Sequence, residues 1–204
     1  EFTADGKLMI KGVVYNEMRG VYSDADGILD RHMQQQLFDS NAYGKDYGGD
    51  PKAIPELTYK QFIDFHRAYY HPSNSWIFTY GNVDLTETLA VLDKEYLAKF
   101  DAIELDSTIA PLSPWFQPQQ GRFTYPLDAN DTEAARTDIA VGFATNDRRE
   151  VLENLAMKVV DIYLLDNAAS PLRKALIDSK LGEELGGSGH ADHQRDTFFI
   201  VVLK

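Results

Sequence analysis

The first third of the chain carries apolar residues at helical spacing. Over 7–22 they recur every three or four positions, and the same period returns from Ile28 to Phe38, which predicts two helices with one buried face each. The polar residues 23–26 between them offer capping side chains. Glycines and prolines interrupt every period over 39–55, so we predict an extended, ordered loop there.

Aromatic residues dominate the next part of the pattern. Thr58 can cap a third helix, which should end before Pro72 because the residue preceding a proline avoids helical backbone angles. The aromatic and β-branched run 76–81 predicts a strand ended by glycine. With a further helix capped by Asp84, residues 8–100 are predicted to be helices packed on at least one strand.

A proline-rich segment of low charge, 108–121, separates this part from the rest of the chain. Its composition is typical of an extended connection between two packed units, and its prolines are Pro111, Pro114 and Pro118. Beyond it, strands are predicted at 122–125, 137–144 and 197–203. Another helix should start with Ser170 as its cap and Pro171 in its first position, and close at 181–182.

A helix is also predicted from Arg148 onward, with a wide apolar face. Because such a face normally packs against a core, we expect its apolar residues to be buried. They are Val151, Leu152, Leu155, Ala156, Val159, Val160 and Tyr163.

Composition narrows the functional classes. The 204 residues are 44% hydrophobic and 25% charged, which excludes long disorder and coiled-coil arrays. A formal net charge of −12 repels phosphate backbones and anionic lipid, so neither nucleic acid nor membrane is expected as a partner. Without cysteine, any metal must be held by His, Asp or Glu. The chain lacks an initial methionine and ends on an apolar strand-like run, so we expect an excised piece of a longer protein.

Glu17 interrupts the apolar stripe of the first predicted helix. It lies four residues after Val13 and four before Val21, so its carboxylate projects from the face that should meet the core. A buried carboxylate is costly unless it is paired or bound to a metal. From this pattern alone two interpretations stay open: a metal ligand, or a helix-edge glutamate that bends to water or pairs with Arg19.

Four segments resemble a known family in the family's own order. They are GVVYNEMRGVYS at 12–23, YGKDYGGDP at 43–51, FHRAYYHPSN at 65–74, and ASPLRKAL with LGE at 169–176 and 181–183. They resemble the pitrilysin and insulin-degrading zinc peptidases, and among these most closely the presequence protease branch. The four segments span most of the chain.

The resemblance implies a role for Glu17. In these enzymes zinc is held by two histidines of an inverted H-x-x-E-H box and by a glutamate on a later helix, while the glutamate of the box activates water. By position, Glu17 matches the later ligand, and the metal charge would offset the cost of burial. None of the five histidines stands in the box spacing, so no catalytic residue is assigned, and substrate-binding residues are not identified. As cut, the chain should neither hold zinc tightly nor hydrolyse peptides.

The resemblance also implies an α+β fold of two homologous metallopeptidase-type domains, with helices on mainly antiparallel sheets. Residues 1–107 would be the C-terminal part of the first, zinc-site domain, 108–121 the linker, and 122–204 the N-terminal part of the second. The parent would be a zinc metalloendopeptidase that hydrolyses short unfolded peptides in an enclosed chamber. Expected partners are peptide substrates and the remainder of the parent chain, and exposed strand edges would let the fragment self-associate.

Two further expectations concern compartment and class. A bacterial parent would be cytoplasmic and a eukaryotic one would lie in an organelle matrix. The competing class is a non-catalytic structural or peptide-binding relative of the same fold, which an upstream sequence without the box would reveal. A soluble interaction domain with merely similar segments is disfavoured by the ordered series of matches.

Other motifs have structural explanations. The histidines of HADH, His190 and His193, follow three glycines and are predicted to lie in a polar loop rather than a metal site. His66 and His71 should serve packing and a helix end. The glycines of 44–49 match no phosphate-binding fingerprint and are interpreted as turn residues. Asp24, Asp26 and Asp30 lack calcium-loop spacing and suit helix capping.

Overall fold

The computed structural model describes residues 2–113, 115, 117–127, 132 and 136–204. Pro114 of the predicted linker lies outside these residues. The helices are α1 (Val13–Val21), α2 (Ala25–Leu37), α3 (Tyr59–Tyr69), α4 (Leu85–Glu95), α5 (Val151–Leu165) and α6 (Pro171–Asp178). The strands are β1 (Ile139–Asp147), β2 (Gly189–Ala191) and β3 (Asp196–Leu203). Helices and a small antiparallel sheet make the fold α+β, as expected. Among the described residues, no helix is both long enough and apolar enough to cross a bilayer.

The chain divides into two compact units: Glu1–Pro51 with Ala110–Lys204, and Lys52–Ile109. Residues 1–51 therefore belong to the same compact unit as 110–204 rather than to the unit formed by 52–109. The prediction that 1–107 and 122–204 belong to two homologous domains is about evolutionary origin. The division into compact units does not test it, so it stays a prediction.

The first unit is built around a three-stranded antiparallel sheet with the order β1-β3-β2. Its register pairs Phe143 with Phe199 on one side of β3 and His190 with Phe199 on the other. Alternate residues of β3 point to opposite faces. Phe198, Ile200 and Val202 form the core with Leu37 and Phe38 at the end of α2.

Gly142 of β1 allows α2 to approach the sheet closely. A Cβ at this position would lie 2.7 Å from the Met33 Sδ atom and 3.0 Å from the Leu37 Cδ1 atom. A side chain at this position would therefore force the Met33 and Leu37 side chains to move. On the opposite face of the sheet α5 packs against β2, where the side chains of Asn154 and His190 are hydrogen-bonded at 2.7 Å.

The second unit consists of α3, α4 and short 3₁₀ turns, at Ile54–Glu56, Pro72–Asn74 and Leu97–Lys99. Thr58 begins α3 with a capping box: its hydroxyl accepts from the Gln61 backbone N–H, and the Gln61 side chain accepts from the Thr58 N–H. The carboxylate of Asp84 caps α4 by accepting from the Glu87 N–H at 2.9 Å. Both caps occur where the sequence predicts them.

Two predicted strands are wrong. Residues 76–80 pair with no described strand, and Trp76 is fully exposed, so the run has aromatic composition but no partner for its backbone hydrogen bonds. The segment 122–125 is not a strand either. Instead, the Phe123 ring stacks on the His32 ring of α2, with ring centroids 3.7 Å apart.

Several helix predictions need smaller corrections. The first helix begins at Val13 rather than near residue 7, and the last ends at Asp178 rather than at 181–182. Ser170 precedes Pro171 at the start of α6, but its side chain makes no capping bond to that helix. The Ser170 hydroxyl accepts instead from the Asn167 N–H.

The burial predicted for α5 is wrong. Leu155, Val159 and Tyr163 are mostly exposed, together with Val151 and Leu152, whereas only Leu165 of the helix is buried. The polar face of α5 packs against β2 and the residue that follows it. Asn154 is hydrogen-bonded to His190, and Lys158 forms an ion pair with Asp192. Its apolar face is covered by no described element.

Candidate functional site

Glu17 lies in the middle of α1 and is exposed. The neighbouring apolar side chains on its face are exposed as well, with Val13 at 85% and Val21 at 44% of their full accessibility. The predicted burial of this face is therefore wrong, because no described element covers it. Met18 is the one buried residue of α1. Its Sδ atom lies so close to Gly48 that a Cβ there would come within 2.3 Å.

The described residues do not form a complete metal site. Among the described residues, no group of three or more His, Asp or Glu side chains is arranged to hold a metal ion. A tightly bound catalytic zinc needs about three protein ligands. Glu17 can supply one carboxylate, which agrees in donor type with zinc but leaves the other ligands to residues elsewhere. Its role as a ligand stays a prediction.

A polar cluster holds the end of α1 against the loop that follows α2. The Tyr22 hydroxyl donates to the Asp46 carboxylate at 2.7 Å, and the Arg31 guanidinium lies 3.5 Å above the Tyr22 ring. The second oxygen of Asp46 accepts from the Gly48 N–H at 3.0 Å. Burial, together with this hydrogen bond to Asp46, raises the pKa of Tyr22 to about 12. The cluster thus joins 12–23 to 43–51, two of the segments that carry the family resemblance.

A cleft of about 430 Å³ opens beside this cluster. Its lining is mainly polar and acidic, and consists of Tyr22, Gln35, Asp39, Gly44, Lys45, Asp46 and Asp50. Gly44 is required by close packing, because a Cβ there would lie 2.2 Å from the Phe38 carbonyl oxygen. Gly44 and Gly48 therefore serve close contacts, which the sequence did not predict, whereas the positive φ of Gly49 agrees with the predicted turn.

The other motifs also have structural roles. His66 stacks on Tyr70 with ring centroids 4.8 Å apart, and the Nδ1 atom of His71 accepts from the Ser73 N–H at 3.2 Å. Asp24 caps α2 by accepting from the Gly27 N–H at 2.8 Å. The packing roles of His66 and His71 and the cap at Asp24 agree with the prediction. Asp26 instead pairs with Lys204, and Asp30 accepts from the Gln34 side chain within α2.

The pair of histidines near the chain end is placed differently from the prediction. His190 lies in β2 rather than in a loop, and its Nε2 atom is bonded to Asn154. His193 packs edge-on against Phe198, with ring centroids 5.9 Å apart. The two imidazoles have separate partners, so they form no metal site.

An arginine-lined cleft lies where no functional residue was predicted. Its lining includes Arg148, Arg149 and Arg195. The Arg148–Arg149 dipeptide is the sequence signal that points to it, but Arg195 joins the cluster only through the pairing of β1 with β3.

Comparisons with known proteins agree on one family. The model of the Peptidase M16 inactive domain matches residues 56–203, a stretch that runs across the proline-rich segment. The chain is 38% identical over 200 residues to the mitochondrial presequence protease of Mus musculus and 42% identical over 197 residues to presequence protease 1, chloroplastic/mitochondrial, of Arabidopsis thaliana. It is 36% identical over 198 residues to Protein HypA of Clostridium perfringens. These alignments cover 97%, 95% and 97% of this chain but only 19%, 18% and 20% of the relatives.

A solved structure shows the same fold. The crystal structure of a protease from Helicobacter pylori matches with a TM-score of 0.60 and 19% sequence identity, over 93% of this chain and 45% of that one. The chain thus spans about a fifth of the length of its curated relatives and less than half of this structural neighbour.

Proposed function

Since this chain belongs to the M16 peptidase family, we propose that it is part of a zinc metalloendopeptidase that hydrolyses short unfolded peptides in an enclosed chamber. The membership is what supports a peptidase parent. The bound zinc, the enclosed chamber and the class of peptide substrates go beyond family membership and are proposed here. The two zinc histidines and the catalytic glutamate would come from an H-x-x-E-H box elsewhere in the parent.

The observation that carries the proposal is the position of Glu17. It stands on the exposed face of α1, within the segment 12–23 that resembles the third-ligand segment of the family. The exposed apolar side chains around Glu17 suit packing against another part of the parent protein. A metal bound by that part would then be within reach of the Glu17 carboxylate. The contact between Tyr22 and Asp46 fixes the end of the helix that bears Glu17.

The chemistry is divided between the metal and this chain. When bound, zinc would polarise the scissile carbonyl and lower the pKa of the attacking water. Glu17 would be one of the residues that hold the metal. Tyr22 and Asp46 would position α1, and Met18 would anchor the same helix on Gly48.

The fragment itself is proposed to be inactive. The matching family model describes an inactive domain, and among the described residues Glu17 belongs to no group of three or more metal-binding side chains. Peptides and the remainder of the parent chain are the proposed partners. With a net charge of −12, basic peptides would be favoured. The cytoplasm of a bacterium or an organelle matrix stays the predicted compartment.

The test is to measure zinc stoichiometry and peptide cleavage in the full-length parent. We expect one zinc per wild-type parent, and in Glu17→Gln a loss of zinc affinity of at least about 100-fold together with loss of cleavage. Glu87→Gln, at an exposed glutamate of α4, is the control and should keep both zinc and cleavage.

Two outcomes would contradict parts of the proposal. A parent that binds no zinc and cleaves no peptide would identify the alternative, a non-catalytic relative of the same fold. Full zinc binding by a folded Glu17→Gln parent would keep the peptidase but remove Glu17 from the ligand set.

A further inference from the structure

The chain contains two Asp-Gly dipeptides, Asp5–Gly6 and Asp26–Gly27, in contrasting backbone. An aspartate followed by glycine is prone to isomerisation, because glycine has no Cβ to hinder attack by its nitrogen on the aspartate side chain. Asp5–Gly6 lies in a turn, whereas Asp26–Gly27 lies in the first turn of α2. Since the two dipeptides share the reacting residues, the structure around each decides how readily it reacts.

The turn that carries Asp5 is exposed and lightly held. The Gly6 N–H donates to the Thr3 carbonyl at 2.9 Å, and the Thr3 N–H donates to the Lys7 carbonyl at 2.8 Å. Gly6 has a φ of +80°, and a Cβ placed on it would meet no described atom within 4 Å. Exposed turns with so few contacts open locally at little cost in free energy. The backbone at Asp5 can therefore rotate into the geometry that the reaction requires.

Two side chains contact the Asp5 carboxylate. It accepts from the Thr3 hydroxyl and pairs with the Lys7 Nζ atom at 3.0 Å. The hydrogen bond from Thr3 and then that from Lys7 hold the pKa of Asp5 below its usual value. Because the carboxyl reacts most readily when protonated, with its hydroxyl leaving as water, these contacts slow the reaction at neutral pH. Mild acid should speed it.

The second dipeptide is held by the start of α2. The Gly27 N–H donates to the Asp24 carboxylate at 2.8 Å, and a Cβ on Gly27 would lie 3.1 Å from the Val21 carbonyl oxygen. The Asp26 carboxylate pairs with the Lys204 Nζ atom at 2.7 Å. The ring formed in the reaction needs a ψ far from the helical value, so closing it at Asp26 would break the first turn of the helix. The fold therefore protects Asp26 and leaves Asp5 free to react.

We propose that Asp5 is a site of spontaneous modification, at which the exposed turn isomerises aspartate to isoaspartate. The Gly6 nitrogen attacks the Asp5 Cγ atom and forms a new N–Cγ bond, while the carboxyl hydroxyl and the amide proton leave together as water. Water then adds to the main-chain carbonyl carbon of Asp5 in the five-membered imide and breaks its bond to the Gly6 nitrogen. The main chain now runs through Cγ and is one carbon longer at the turn, at unchanged mass. The site does not depend on the metal proposed at Glu17.

The test is incubation of the full 204-residue chain in a buffer of about pH 6, above its isoelectric point of about 4.7. Tryptic digestion then separates the two dipeptides, because peptide 1–7 carries the first and peptide 20–31 the second. Isoaspartate in each peptide is measured by enzymatic methylation of its free α-carboxyl group, with S-adenosylmethionine as the methyl donor. The same incubation in urea, above the unfolding transition, is the control for the intrinsic reactivity of each dipeptide.

We expect isoaspartate to accumulate in peptide 1–7 of the folded chain at least about tenfold faster than in peptide 20–31. In urea the two rates should come within about threefold of each other, because the reacting residues are the same. Asp5→Glu should remove the signal from peptide 1–7, since a glutamate would have to close a six-membered ring, which forms far more slowly. Equal rates in the folded chain, or a ratio that urea leaves unchanged, would overturn the proposal.

Discussion

Tyr22 shows how one side chain connects two parts of the chain that are distant in sequence. Its hydroxyl bonds to Asp46, 24 residues later, and its ring lies under Arg31 of α2. Burial and the neighbouring carboxylate both disfavour tyrosinate, so the pKa of Tyr22 is raised to about 12. A negative charge on Tyr22 would face Asp46 directly.

Ionisation of Tyr22 is therefore expected late in an alkaline titration. Because the pKa in the folded state is raised above its unfolded value, the stability that Tyr22 contributes is present below about pH 10 and is lost as the pH rises toward about 12. Tyr22→Phe should remove one late step from the tyrosinate absorbance curve and cost about 1 kcal/mol at neutral pH. Tyr47→Phe, at a fully exposed tyrosine, is the control and should leave the late step of Tyr22 in place. Identical curves for the two variants would contradict the assignment.

At the scale of elements, α5 is oriented by polar contacts rather than by its apolar face. Asn154 and Lys158 meet His190 and Asp192 around β2, while most of the apolar side chains of the helix face outward. The sequence pattern identified the helix and its apolar face correctly. It could not tell that the described part of the chain leaves this face uncovered.

Two leucines of α5 provide a matched test of this orientation. Leu165 is 7% exposed and Leu155 is 58% exposed. Leu165→Ala should cost about 2–5 kcal/mol of unfolding free energy, because it removes buried methyl groups and leaves a cavity. Leu155→Ala should change it by less than about 0.5 kcal/mol. Urea unfolding of the 204-residue chain measures both, and a larger cost for Leu155→Ala would mean that its side chain is covered in solution.

At the scale of the molecule, the chain carries a formal net charge of −12, and ion pairs offset part of the repulsion between its carboxylates. Asp147 pairs with both Arg149 and Arg195, and these guanidinium groups hold the pKa of its carboxyl well below the usual range, with Arg149 the larger influence. Asp147 thereby links the end of β1 to the turn before β3.

Acid should weaken the contribution of Asp147. Because its pKa is lowered in the folded state, the stability it provides is present above its unfolded pKa of about 4 and is lost as the pH falls below that value. Asp147→Asn should lower the urea midpoint at neutral pH, and the difference from the wild type should shrink on acidification to about pH 2.

A control separates this link from the general effect of charge. Asp101→Asn removes one negative charge from an exposed aspartate of the other unit and should leave the urea midpoint nearly unchanged. If the gap between Asp147→Asn and the wild type stayed constant over the whole pH range, the ion pairs would not be the source of the stability.

Local features of the fold were predictable because their causes are local. The caps at Asp24, Thr58 and Asp84, the proline that opens α6 and the last strand each depend on residues within a few positions of one another. The family resemblance was likewise carried by short segments whose order could be read directly. The caps and the family segments can both be recognised without knowing which other elements pack against them.

What packs on an element was decided only by the tertiary structure. The aromatic run at 76–80 has strand composition but no described partner, and 122–125 lies over α2 instead of joining the sheet. Glu17 was selected by its place in the sequence, whereas its exposure follows from the absence of a described element over α1. The arginine-lined cleft needed the pairing of β1 with β3 to bring Arg195 to Arg149. Burial, strand pairing and charge clusters depend on residues distant in sequence, so they are set by the fold as a whole.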